Sequence, residues 1–166
     1  MAISGSVSAS INITDSRSVG VTTGGQTQKL TGAASWQNAF GSGAGALQGN
    51  VLYAATRTLS GASEDVDLSG VLSDLYGSTV TMVRVKAVFI RNNSTANNIT
   101  VGAASSNQWS TMLNSTGTIT LHPGAYFSAA TPTAAGWTVT AGTGDILKVA
   151  GTSGQSYDVV ILGASS

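Results

Sequence analysis

From Val51 onward the chain is cut into short runs rich in Val, Ile, Leu and Thr, each closed by Gly, Asn or Pro, and this cadence restricts the fold more than any other feature. The runs are "VLYAATRTLS", "TVTMVRVKAVFIRN", "NITVGAA", "GTITLH", "AYFSAA", "WTVTA", "DILKVAG" and "YDVVILG". Turn signals every 8 to 12 residues or so between β-forming runs predict an antiparallel sandwich or barrel. The expected architecture is all-β, an antiparallel jelly-roll-like β-sandwich with one short helix and an extended N-terminal arm. "LHPGAY" suits a type II turn, with Pro123 second and Gly124 third. "AGTSGQS" is expected to join the last two strands as a hairpin-like loop. The helix is placed on "DVDLSGVLSDLYG", where Asp65 or Asp67 caps, Leu68, Leu72 and Leu75 keep helical spacing, and Gly77 terminates.

The N-terminus follows a different rule. Ile3, Val7, Ala9, Ile11 and Ile13 share one parity with Gly5, while Ser4, Ser6, Ser8, Ser10, Asn12 and Thr14 take the other. Period two over this length predicts a strand with one apolar face. It is either an edge strand of the home sheet or an arm docked on a neighbouring subunit. "TTGGQTQ" reads as a turn, and "FGSGAGALQGN" as a flexible joint spanning Gly41 to Gly49. These divide the chain into an arm region, 1–40, and a β-sandwich domain, 41–166. The joint lacks the lysine and hydroxyl residue of a phosphate loop.

Composition removes several function classes. Charged residues make up 8% of the chain and the formal net charge is zero, while 42% is apolar. Nucleic-acid binders rely on a net basic field, which a balance of seven basic and seven acidic residues does not provide. A neutral, charge-poor surface suits contact with other protein. There is no cysteine, so thiolate chemistry and disulfides are excluded. No targeting segment or membrane-spanning run is expected. The sequons at Asn12, Asn93, Asn98 and Asn114 are what a Ser/Thr/Asn-rich chain produces by chance.

Catalysis finds no constellation. The single histidine, His122, reads as a turn residue, since metal-binding cupin-like barrels gather several histidines and a carboxylate. A Ser-His-Asp triad would also need it, and no G-x-S-x-G elbow is present. Glu64, Asp65, Asp67 and Asp74 lack the D-x-D-x-D-G calcium loop; acids at a helix start explain them. No enzyme activity, cofactor or metal is expected.

Arg84, Lys86 and Arg91 lie within "TMVRVKAVFIRN". By strict alternation Val83, Val85, Ala87 and Phe89 face the core, and Met82, Arg84, Lys86, Val88 and Ile90 face outward. Arg91 then falls on the opposite parity, so the three cations do not form one patch. Arg84 and Lys86 read as solvated charges that discourage edge pairing, or as contacts to a partner protein. The outward Val88 and Ile90 require a cover from a second layer or another subunit. Candidate partner-binding residues are therefore Ile3, Val7, Ile11 and Ile13 on the arm, and Arg84, Lys86, Val88 and Ile90 on the strand.

The elements "TRTL", "DLSGVL", "VKAVFIRN", "LHPG" and "TAGTGDILKV…YDVVILGAS", within residues 41–166, resemble a family of small proteins from the virion-structure genes of tailed bacteriophages. The resemblance implies a capsid decoration (cement) protein on the virion exterior, made in the host bacterial cytoplasm. Its implied partners are the major capsid protein and its own copies, as a homotrimer, without nucleic acid or membrane. A head-fibre or tail-associated module binding a host receptor or glycan is the alternative it implies. The family supplies no catalytic residue.

Overall fold

The computed structural model describes residues 3–19 and 26–166, and among them every helix or strand element is a strand. Strands β1 (Gly5–Val19) and β2 (Gln26–Ser42) form a long antiparallel hairpin, and β3 (Gln48–Gly49) adds briefly to β2 in parallel. Then come β4 (Val51–Thr58), β5 (Ser63–Asp67), β6 (Ser69–Ser73), β7 (Thr79–Thr81), β8 (Arg84–Asn92) and β9 (Ile99–Gly102). The last are β10 (Thr118–Leu121), β11 (Tyr126–Ala130), β12 (Trp137–Thr138), β13 (Ile146–Ala150) and β14 (Ser156–Ala164).

Two antiparallel sheets build the body. One runs β10-β9-β13-β5; the other runs β11-β8-β14-β4, with β12 also on β8. Alternate residues of each enter one shared core: Val66, Ile99, Val101, Leu147 and Val149 from the first, and Val88, Ile90, Tyr157, Val159 and Ile161 from the second. Each side chain so buried contributes roughly 1.5–3 kcal/mol of transfer free energy before ordering costs. Where the sheets meet beside β4 and β5, a polar cluster ties them. Glu64 accepts from the Arg57 guanidinium and from the Tyr157 hydroxyl (2.8 Å), and Arg57 donates to the Tyr53 hydroxyl (2.6 Å).

Four expectations need correction. The helix over "DVDLSGVLSDLYG" is absent: this stretch forms β5, paired with β13, and the β6–β7 ribbon. Period two wins because Val66 and Leu68 are both buried, while Gly70, at φ +132°, takes a conformation that other residues rarely adopt. The acids hold turns instead of capping a helix: Asp67 Oδ1 accepts from the Ser69 N–H, and Asp74 Oδ1 from those of Tyr76 and Ser78. The loop before β14 is not a hairpin either, because β13 and β14 belong to different sheets. The long run at residues 79–92 is split into β7 and β8 rather than forming one strand.

The fourth correction is one of parity. Along β14, Leu162 opposes Ala87 but Gly163 opposes Val85, so Lys86 is the extra residue of a β-bulge. A bulge shifts every later side chain to the other face. Val88 and Ile90 are therefore core residues, buried with Met82, while Ala87 belongs to a second cluster outside that core. The turn expected at 22–28 lies outside the described residues as far as residue 25; β2 begins at Gln26. The turn at His122–Ala125 is as expected: the Ala125 N–H donates to the His122 carbonyl and Gly124 has φ +73°.

Candidate interaction surface

Cross-strand partners on a hairpin share a face. The register places Gly5 opposite Phe40, Val7 opposite Asn38, Ala9 opposite Trp36 and Ile11 opposite Ala34. One face thus carries Phe40, Val7, Ala9, Trp36, Ile11, Ala34 and Ile13, interrupted only by Asn38. The reverse face pairs Ser8 with Gln37 and Ser10 with Ser35. From Val7 to Ile13 the apolar stripe runs roughly 20 Å.

Its two ends differ. At the base, Phe40 is buried with Ala87 and Leu162, and Ile3, Val7 and Ala130 pack around them. The hairpin thereby covers part of the outer face of β8 and β14, which explains why β8 is apolar on both faces. Beyond Val7 nothing among the described residues covers the stripe: Ile11 is 59% exposed, Ile13 61% and Trp36 66%. An isolated two-stranded ribbon is marginal in water, so an apolar face of this kind calls for a neighbour. The strand β1 pairs with β2 and with neither body sheet, so it is not an edge strand of either.

The strand residues expected to bind a partner have other duties. Lys86 is fully buried, and its Nζ donates to the carbonyls of Thr133 (2.6 Å), Ala134 (2.6 Å) and Gly45 (3.2 Å). Burial, followed by the nearby Arg84 charge, holds its ammonium below the usual lysine range. Lys86 thus pins the Gly41–Gly49 segment and residues 131–136 to the bulge, and is not presented to a partner. That segment is further held by Leu47 N–H to Pro132 O and Gly45 N–H to Gln48 Oε1. Arg84 also reaches the Ala134 carbonyl, from a more exposed position. Val88 and Ile90 are within the core and present no surface.

Of the arm residues, the structure leaves Ile11 and Ile13 open and uses Ile3 and Val7 partly at the base. Sequence reasoning missed Trp36 and Phe40, although the period-two spacing of Ala34, Trp36 and Phe40 in "AASWQNAF" carried the signal. Among the described residues no cluster of His, Asp and Glu is arranged to hold a metal, and no helix is long and apolar enough to cross a membrane. The chain matches no family model, no curated protein and no solved structure.

Proposed function

We propose that the protein is a structural virion component that binds the outside of a phage capsid and stabilises it, as a decoration or cement protein. Its partners in this reading are the major capsid protein and further copies of itself, and its role is adhesive, not catalytic. The observation that carries the reading is the uncovered apolar stripe of the hairpin, Ala9, Trp36, Ile11, Ala34 and Ile13, on a chain of zero net charge. A stripe of this shape docks by filling shallow apolar pockets or lying on a flat neighbour. The motif resemblance to phage virion proteins names the neighbour.

We read the body as a jelly-roll β-sandwich. With the eight strands of the two body sheets renumbered in chain order, the sheets run 1-8-3-6 and 2-7-4-5. Supporting this reading, all successive strands but the β9–β10 pair cross between layers, an order that matches the double Greek key of jelly rolls, used by capsid and lectin domains alike. Fold alone does not separate those uses. A concavity lined by Asn93, Ser94, Thr95, Asn97, Thr152 and Ser153 favours a second reading, a host-glycan module at a fibre or tail; it has no aromatic platform for a sugar ring.

The test is co-sedimentation of the protein with shells assembled from the capsid protein of the same phage. Wild-type protein is expected to bind and to raise the temperature at which shells break. The triple variant Ile11→Ser, Ile13→Ser, Trp36→Ser should bind at least about a thousandfold more weakly, since each lost burial is worth roughly 1.5–3 kcal/mol and three sum to about 4.5 kcal/mol or more. Its urea midpoint should match the wild type, because these side chains are outside the core. Undiminished decoration by the variant would overturn the docking assignment, and binding to a glycan array without binding to shells would favour the second reading.

A further inference from the structure

The β6–β7 ribbon ends in a turn that points two large apolar side chains at solvent. Leu75 is 76% exposed and Tyr76 80%. The turn is rigidly built: Asp74 Oδ1 accepts from the N–H groups of Tyr76 (2.9 Å) and Ser78 (2.8 Å), the Asp74 N–H donates to Ser78 O, and the Gly77 N–H to Asp74 O. Preorganised aromatic side chains of this kind are what protein contacts use as anchors, because little ordering entropy is lost on binding.

Beside the tip is its complement. Ile3, Val7, Phe40, Leu52, Phe89 and Val160 line a half-open groove of about 190 Å³ between the hairpin base and the outer sheet face. Small-molecule sites measure about 300–1,000 Å³, so this groove suits a side chain better than a ligand. Ile3 and Leu52 also line the cleft beside Leu75 and Tyr76, which makes tip and groove neighbours on one side of the molecule.

We infer that the groove is the seat for the Leu75–Tyr76 tip of a second copy of this chain. Each copy carries both halves of the contact. Neither half opposes it electrostatically: the groove lining has no ionisable side chain, the tip's one carboxylate, Asp74, is turned onto its own backbone, and the net charge is zero. The area also agrees. The two tip side chains expose roughly 300 Å². In a two-fold dimer each copy uses its tip once and its groove once across a single interface, which buries roughly 600 Å² per copy and about 1,200 Å² in all, the lower edge of specific interfaces. A weak, finite oligomer follows, with micromolar affinity.

This deepens the self-association proposed above and does not depend on shell attachment, so it is tested on the isolated full chain by sedimentation equilibrium. Wild-type protein is expected to associate in the micromolar range. The pair Leu75→Ser, Tyr76→Ser should weaken association about thirtyfold or more, and so should Val160→Lys, which puts a charge in the groove. Ser115→Lys, an exposed change in neither tip nor groove, should associate as the wild type does. A wild-type chain still monomeric at about 1 mM, or tip and groove variants that associate normally, would overturn the inference.

Discussion

Lys86 shows how one residue can look like surface chemistry and serve as internal scaffolding. Its ammonium reaches two segments distant in sequence through three carbonyl oxygens, at a bulge where alternation would have turned it outward. Replacing it by methionine keeps the stem and removes the donor, stranding the Gly45 and Thr133 carbonyls; Ala134 keeps Arg84. Lys86→Met should lower stability by about 3 kcal/mol in urea titration. Glu64 has a different signature. The Arg57 hydrogen bond, and then the Tyr157 hydroxyl, hold its carboxyl below the usual range against the opposing effect of burial. A carboxyl depressed in the folded state adds stability that is present above its unfolded pKa of about 4.3 and is lost as pH falls through the folded value. Urea midpoints measured from pH 6 down to pH 3 or so should therefore fall less steeply for Glu64→Gln than for wild type. Asp158, lowered by Thr56 and Asn93, accounts for part of the slope that remains.

At the scale of elements, the hairpin should be the least stable piece of the free protein, because Ile11, Ile13 and Trp36 are open to solvent on its apolar face. Amides of Ser8–Ile13 and Ala34–Gln37 should exchange with deuterium about a hundredfold faster than those of β8 and β14 in the isolated chain, as read by mass spectrometry. Equal protection would show that the ribbon is stable uncovered. The alternation at Ile3–Ile13 was legible in the sequence because serine occupies nearly every intervening position. Its pairing with β2 was not, because "TTGGQTQ" carries only a general glycine signal and specifies no register. Val88 and Ile90 were misplaced for a local reason: a bulge leaves no mark in a run as uniformly β-forming as "VRVKAVFI". Leu68, Leu72 and Leu75 keep helical spacing by coincidence, and pairing with β13 and β7 overrides it.

For the whole molecule, the strand cadence from Val51 told the class but not the strand order, because a loop that crosses between sheets and one that turns a hairpin use the same Gly, Ser and Asn. The low charge bears more directly on the proposed apolar docking than any motif does. Among the described residues, the large apolar side chains most open to solvent include Trp36, Ile11 and Ile13 on the stripe and Leu75 and Tyr76 at the tip, with Val71 and Tyr126 elsewhere. Stripe and tip are both apolar. Contacts of that kind are insensitive to ionic screening, whereas recognition through charges weakens as the Debye length shrinks.

The decisive measurement is the affinity of the full chain for assembled shells across a salt series from about 50 to 500 mM. If the protein holds its neighbours by covering uncharged, apolar area, the dissociation constant should change by less than about threefold over that range. A loss of about tenfold or more, or no attachment at any salt concentration, would contradict the account.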